Sequence, residues 1–321
     1  MYRVRALLFA LLAAVVAPGA LAQSYPAKPI RVIVPYAPGG GTDILTRALA
    51  KRLAEQTGQP FIVENHGGAA ATIGVSMVAK AAPDGYTIVV VSGVPFLINQ
   101  FMFARLPYDT VTDFEPVSRF ASVPMLLVST ASFTADTPEK FVAYARANPG
   151  KVNFGAPDEM THLAMTLISQ GTNTNVTIVP YKGAGPALAD LVGGHIPMMM
   201  SSSSAVMPFL KDGRVKALAI TTRTRLSSLP QVPTVAETIL PSFELNAWFG
   251  VFAPAKTPKE IVNYLHAEIA KAVNSPEIKE RFDSLGATPI EMLTPDAFAA
   301  YVKAERDRWG SAFRASGLPQ Q

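Results

Sequence analysis

The sequence predicts an α/β fold of two lobes with a ligand cleft between them, and three observations lead to this prediction. Short β-branched strand patterns alternate with helix patterns along the whole chain. A chain of 321 residues is long enough for two domains. Two extended apolar stretches, at residues 114–129 and 243–252, interrupt the alternation. We expect both stretches to be strands that cross between the lobes.

The first residues have the pattern of a secretory signal peptide. Arg3 and Arg5 precede an apolar run at residues 6–16, and Ala20-Leu21-Ala22 fits a small-x-small cleavage site. The apolar run is shorter than the roughly 20 residues that span a bilayer. We therefore expect residues 1–22 to be a signal peptide that is cleaved after Ala22, and the mature protein to be exported to the periplasm.

The composition excludes several classes of function. The sequence contains no cysteine, so disulfides, thiolate catalysis and cysteine-bound metals are excluded. The formal net charge of the whole chain is only +4, which gives no electrostatic basis for binding nucleic acid. His66, His195 and His266 are too widely spaced along the chain to suggest a zinc site. We expect neither a metal nor a cofactor.

The first lobe is predicted to begin with a strand at residues 30–34, which Pro35 ends. A helix follows, with Thr42 as a suitable N-cap, Asp43 in the first turn, and Gly58 at the end. The pattern continues with a strand at residues 61–64, a helix at 72–82 and a strand at 86–91. We assign residues 25–124 and 247–321 to this lobe.

The second lobe, residues 125–246, is predicted to repeat the alternation. Its helices are expected at residues 138–147, 160–169 and 186–191, and its strands at 152–155, 177–180, 196–200 and 215–220. Three C-terminal helices then return the chain to the first lobe. Each is predicted to start with a cap residue followed by proline at the first helical position: Thr257-Pro258, Ser275-Pro276 and Thr294-Pro295.

The glycine loop between the first strand and the first helix predicts an anion site. Glycine allows a ligand to approach the free N–H groups at a helix N-terminus closely. A phosphate site is disfavoured, because Gly41 is followed by Thr42-Asp43 rather than by Lys-Ser/Thr, and Ile44 stands where a dinucleotide loop needs glycine. A carboxylate is the better candidate. A tight turn that binds nothing is the alternative.

The candidate site residues lie where predicted strands end, since ligands bind at the carboxyl edge of open parallel sheets. In the first lobe they are Pro38, Gly39, Gly40, Thr42, Asp43, Ala70, Ala71, Thr72 and Ser92. In the second lobe they are Gly155, Ala156, Thr161, His162, Tyr181, Lys182 and Ser201. The position of Asp43 favours a capping role over catalysis, and a lysine in a turn such as Lys182 is commonly solvated. No nucleophile is paired with a base, so we expect no enzyme activity.

Several stretches follow one another along the chain, among them "YPAKPIRVIVPYAPGGGTD", "AAPDGYTIVV", "VPYKGAGPALADLVGGHIPMMM" and "WFGVFAPAKTP". In this order they resemble the Bug proteins, the extracytoplasmic solute receptors of tripartite tricarboxylate transport systems. The resemblance implies a two-lobed periplasmic binding protein, type II-like, that delivers a small carboxylate to membrane transporter subunits. It also implies that backbone amides, hydroxyls and waters hold the carboxylate, at Gly39, Gly40, Thr42, Asp43, Ala70, Ala71, Thr72 and Ser92.

The chain departs from the family pattern at three places. Ala70 and Ala71 stand where glycine is usual, the loop at residues 156–162 reads "APDEMTH" instead of small residues, and Ser201 replaces a frequent aspartate. All three would change the distal end of the ligand, so an amino acid, an aliphatic dicarboxylate, an aromatic acid and a nicotinate-like ligand stay open. A ligand sensor of the same fold that acts on a membrane sensor, or an enzyme on this scaffold, are the alternatives. We expect a monomer.

Overall fold

The computed structural model describes residues 25–290, 292–317 and 320. The predicted signal peptide lies outside these residues. Within the described part of the chain, no helix has both the length and the apolar character to cross a membrane.

The first lobe opens with a parallel three-stranded arrangement. Strand β1 (Ile30–Val34) pairs with β2 (Phe61–Asn65) on one side and with β3 (Thr87–Ser92) on the other. Three helices follow these strands in turn: α1 (Gly41–Thr57), α2 (Thr72–Ala79) and α3 (Gly93–Met102). Four of the five residues of β1 are buried, as expected for a parallel strand that is covered on both faces.

A long strand, β4 (Phe114–Thr130), leads into the second lobe. The elements that follow are α4 (Pro138–Ala147), β5 (Asn153–Ala156), α5 (Glu159–Thr172), β6 (Thr177–Pro180), α6 (Ala184–Gly193), β7 (Met198–Ser202), α7 (Ser203–Lys211), β8 (Val215–Ile220) and α8 (Val235–Thr238). Strand β9 (Asn246–Pro254) carries the chain back. The last elements are α9 (Lys259–Asn274), α10 (Pro276–Ser284), β10 (Thr288–Pro289) and α11 (Pro295–Ser316).

Strands β4 and β9 are the two crossing strands of a two-lobed fold. The sheet order is β2-β1-β3-β9-β4-β7-β5-β6, with β8 and β10 also paired to β4. The first part of β4, up to Pro124, pairs with β9, whereas the part from Met125 onward pairs with β7 and β8. One strand thus belongs to both halves of the sheet, and the carboxyl ends of the parallel strands of each half face the same cleft.

An aromatic cluster packs β9 against two helices of the first lobe, α3 and α11. Phe252 is fully buried, and its ring centroid lies 5.0 Å from that of Phe96 and 5.3 Å from that of Phe298. Phe114 completes the cluster with edge-on contacts to Phe96 and Phe252. Buried aromatic side chains of this size supply much of the stability of a core.

Three helices are absent from the sequence prediction: α3, α7 and the four-residue α8. Eight of the ten residues of α3 are buried, so the helix has no polar face and lacks the periodic pattern that predicts a helix. Helix α7 begins with three small residues that are all buried, Ser203, Ser204 and Ala205.

Two predicted helix caps are wrong. The N-cap of α1 is Gly40, and Thr42 lies within the first turn. The N-cap of α9 is Pro258, while Thr257 Oγ1 donates to the carbonyl of Pro254. The other two C-terminal caps are confirmed: Ser275 accepts from the N–H of Ile278, and Thr294 accepts from the N–H of Ala297.

Candidate functional site

Five helices begin around one small compartment of the cleft, which we call the inner compartment. Its volume is about 40 Å³, enough for a carboxylate-sized group, since one water needs roughly 10–15 Å³. The residues that line it are Tyr36, Gly40, Gly41, Thr42, Ser92, Met125, Pro157, Asp158, Met160, Thr161, Gly183, Ala184, Ser201, Ser202 and Phe249. They include the starts of α1, α3, α5, α6 and α7. A helix N-terminus carries free N–H groups and a partial positive charge, so this compartment suits an anion.

Asp43 fixes the loop that precedes α1. Its side chain is 4% exposed and accepts hydrogen bonds from the Gly39 N–H at 3.0 Å, from Arg47 Nε at 2.9 Å and from Asn65 Nδ2 at 3.0 Å. Burial opposes ionisation, but the hydrogen bonds outweigh it and hold the pKa of Asp43 below its ordinary value. The carboxylate of Asp43 is therefore occupied in holding the loop.

The two lobes approach each other closely at Gly41. A Cβ atom on Gly41 would overlap Ser202 Oγ and would lie 3.0 Å from Ser202 Cβ. The neighbouring Gly40 has more space, because a Cβ there would lie 3.6 Å from the Cβ of Ala184, an ordinary contact. Only glycine at position 41 allows the start of α1 to face the start of α7 at this distance.

A larger compartment, which we call the outer compartment, adjoins the inner one and has a volume of about 320 Å³. Tyr36, Pro157, Asp158 and Gly183 line both compartments. The other residues that line the outer compartment are Pro35, Gly68, Ala69, Ala70, Ala71, Pro95, Ala156, Glu159, His162, Pro180, Tyr181 and Lys182. A ligand in the inner compartment can therefore extend into the outer one.

Three consecutive alanines form an unusual wall of the outer compartment. Ala69, Ala70 and Ala71 have φ angles of 46°, 50° and 71°, in the left-handed region that disfavours residues with a Cβ. The buried Asn99 donates from Nδ2 to the Ala70 carbonyl at 2.6 Å and so fixes this turn. The left-handed conformation explains physically why glycine would be favoured at these positions.

The opposite wall carries two adjacent acidic residues at the start of α5. Asp158 is the N-cap, and its Oδ1 accepts from the Thr161 N–H at 2.9 Å. Burial and the charge of Asp158 raise the pKa of Glu159 to about 7. Burial lowers the pKa of His162, whose Nδ1 lies 3.9 Å from Glu159 Oε2. Near neutral pH this wall therefore holds acidic groups beside an uncharged imidazole.

Two hydroxyl groups at the inner compartment lack partners. Ser201 is 1% exposed, and its Oγ makes no hydrogen bond among the described residues. Tyr36 Oη is also buried, near the backbone N–H of Ser92, and has no acceptor for its own proton among the described residues. Tyr181, by contrast, donates from Oη to Asp190 Oδ2 at 2.7 Å. Buried hydroxyls without partners are costly, so Ser201 and Tyr36 are groups that a ligand could satisfy.

The structure brings together most of the predicted site residues from both lobes. Those that line the inner or the outer compartment are Gly40, Thr42, Ala70, Ala71, Ser92, Ala156, Thr161, His162, Tyr181, Lys182 and Ser201. Ser201 lies inside β7, opposite Leu126, rather than in a loop after the strand.

Five predicted site residues do not line either compartment. Pro38 and Gly39 face a separate surface groove beside α6, and Asp43 lies behind the loop that it holds. Thr72 lies in the first turn of α2, outside both walls. Gly155 is buried within β5, where a Cβ would meet the side chains of Ile196 and Met199.

Sequence reasoning missed Tyr36, Gly41, Glu159 and Ser202 as lining residues, and also Met125 and Phe249 of the crossing strands. A local signal existed for Tyr36, which directly follows the first predicted strand, and for Glu159, which lies in the unusual loop at residues 156–162. Ser202 lies in the stretch 201–204 that follows the predicted strand at residues 196–200, and its closeness to Gly41 depends on the approach of the lobes. Within the part of the chain that the structure describes, no cluster of His, Asp or Glu side chains could hold a metal ion.

Comparison with known proteins gives consistent matches over nearly the whole chain. Residues 45–318 match the tripartite tricarboxylate transporter family receptor. Protein BugT of Bordetella pertussis is 37% identical over 92% of this chain and 91% of its own length.

Two solved structures are also similar. The periplasmic binding protein BugD is 32% identical, with a TM-score of 0.89, over 92% of this chain and 100% of that chain. The R. palustris protein Rpa4515, solved with adipate, is 34% identical, with a TM-score of 0.88, over 92% of this chain and 100% of that chain.

Proposed function

The chain belongs to the tripartite tricarboxylate transporter receptor family, and from this premise we propose that it captures a small carboxylate in its cleft and delivers it to membrane transporter subunits. The family consists of solute-binding proteins rather than enzymes, and its members are periplasmic binding proteins. The relative solved with adipate supports a carboxylate as the ligand class.

One observation carries the proposal. Five helix N-termini converge on the inner compartment, and no Lys, Arg or His is among the described residues that line it. Its donors are backbone N–H groups and the hydroxyls of Thr42, Ser92 and Ser201. Once bound ligand excludes water from this compartment, such neutral donors would stabilise a carboxylate without a salt bridge.

Capture proceeds, in this proposal, by closure of two lobes. The first comprises residues 25–124 and 247–321, and the second comprises residues 125–246. The change of β4 partners after Pro124 supports this boundary, because the chain there leaves one half of the sheet and enters the other. The carboxylate would bind the start of α1 in one lobe and the starts of α5 and α7 in the other, so that binding favours the closed state.

Export also belongs to the proposal, with cleavage after Ala22 as the sequence motif indicates. Mass spectrometry of the protein released from the periplasm should then give a chain that begins at Gln23. A mature protein that still carries residues 2–22 would contradict cleavage.

The test of carboxylate binding is a thermal-shift and calorimetry panel of small mono- and dicarboxylates with the matching primary amides. We expect carboxylates to bind and the amides not to bind. A ligand at about 100 times its Kd should add roughly 2.7 kcal/mol to the free energy of unfolding. Each bound ligand should be recovered chemically unchanged. Binding of the amides as tightly as the acids, or turnover of the ligand, would contradict the proposal.

Lys182→Ala tests the alternative that an exposed lysine holds the ligand carboxylate by charge attraction. Lys182 is exposed at the rim of the outer compartment, so its loss should weaken carboxylate binding only slightly. For the same reason, affinity should change little as the Debye length falls from about 30 to 10 Å with added salt. A complete loss of affinity in Lys182→Ala would place the carboxylate at the rim instead of the inner compartment.

A further inference from the structure

The charged groups of the outer compartment favour one kind of distal ligand group. Asp158 and Glu159 line its wall, with Lys182 as the one lysine among the lining residues and exposed to solvent. The side chain of Glu159 is only 18% exposed, and its Oε2 lies 3.9 Å from the His162 ring. Asp158 is occupied as the cap of α5. Glu159 is therefore the acidic side chain of this wall that is available to bind a ligand group.

The orientation of the ligand follows from an independent observation. Ser201 Oγ is buried without a partner among the described residues, and Ser201 lines the inner compartment but not the outer one. Together with the helix N-termini, this donor places the ligand carboxylate in the inner compartment. The remainder of the ligand then extends past Tyr36 and Pro157, which line both compartments, toward Glu159.

We propose that the ligand is a zwitterion whose carboxylate lies in the inner compartment and whose ammonium group, several bonds away, is bound by Glu159 in the outer compartment. This inference rests on the proposed function and names its substrate class. An ω-amino acid has this chemistry. A dicarboxylate of equal length would place its second negative charge beside Glu159, which lines only the outer compartment and where like charges repel.

The protonation of the groups around Glu159 is consistent with this assignment. The pKa of Glu159 is raised to about 7 by burial and by Asp158, so a neighbouring ammonium would favour its ionised form. His162 has a lowered pKa, and that of Tyr181 is raised to about 12, so neither gains charge between pH 7 and 8. Lys182, from the loop before α6, is exposed, and Tyr36 faces the wall from the other lobe.

The experiment uses calorimetry to compare an ω-amino acid, a dicarboxylate and an alkanoate of equal length: 5-aminopentanoate, glutarate and pentanoate. The same comparison is made with ligands of each class that are one carbon shorter and one carbon longer. The wild-type protein is expected to bind the best ω-amino acid about tenfold or more tightly than the dicarboxylate and the alkanoate of equal length. Glu159→Gln should remove this preference while alkanoate affinity is retained. Glu139→Gln, an exposed acid in the first turn of α4, is the matched control and should behave as wild type.

A second readout is the pH dependence of the wild-type preference. Affinity for the ω-amino acid should rise between pH 7 and 8 as Glu159 ionises further, whereas alkanoate affinity should stay constant or fall, and Glu159→Gln should abolish the difference. The inference is overturned if dicarboxylates bind more tightly than ω-amino acids, or if Glu159→Gln keeps the preference. If no carboxylate of any class binds, the proposed function itself fails.

Discussion

Gly41→Val is expected to abolish carboxylate binding in a protein that still folds. A Cβ at this position would overlap Ser202 Oγ across the cleft, and the branched methyl groups of valine would prevent the start of α1 from meeting the start of α7. The overlap is absent when the two lobes are apart. The substitution should therefore disfavour the closed state without greatly lowering the stability of the fold. Valine at the start of a helix costs under about 1 kcal/mol. Calorimetry should show affinity lowered by at least about 100-fold, which corresponds to roughly 2.7 kcal/mol.

Gly40→Ala is the matched control, because its Cβ would make an ordinary contact 3.6 Å from Ala184 and its φ of −80° suits any residue. It should bind within a few-fold of wild type. Small-angle scattering adds an independent readout: the radius of gyration should fall when ligand binds to wild type and stay constant in Gly41→Val. Normal binding by Gly41→Val would show that the carboxylate is held elsewhere.

Phe252→Ala is expected to lower the free energy of unfolding by about 3–5 kcal/mol, because it leaves a cavity in the middle of a crossing strand. The side chain is fully buried and packs against Phe96, Phe114 and Phe298, none of which can collapse into the space without losing its own contacts. Denaturant unfolding followed by circular dichroism measures the change. Since Phe252 lines neither compartment of the cleft, carboxylate affinity should be retained below the unfolding transition.

Ile62→Ala provides the comparison for a surface residue. Ile62 lies on the edge strand β2 and is 47% exposed, so truncation should change the free energy of unfolding by no more than about 0.5 kcal/mol. Equal losses in the two variants would mean that the aromatic cluster does not stabilise the crossing strand as the packing indicates.

Local patterns were sufficient to predict most of the strands and most of the helices, and they lead to the expectation of an anion site at the first loop. Strand β1 is a β-branched run, and α10 and α11 start with a cap residue and proline, so each signal lies within a few neighbouring residues. Composition excluded cysteine chemistry, and the order of several motifs indicated the family. These properties depend on the chain itself and not on which segments meet.

Other features of the fold and of the candidate site depend on tertiary packing. Helix α3 is buried on all sides, which removes the amphipathic pattern that would have predicted it. Gly40 and Gly41 are equivalent in the sequence, and only the approach of Ser202 from the other lobe makes Gly41 the restricted position. Glu159 becomes a candidate ligand group because folding buries it beside Asp158 in a compartment shared with Tyr36. Burial and contacts between residues distant in sequence set these properties, and neither is encoded in a local run of residues.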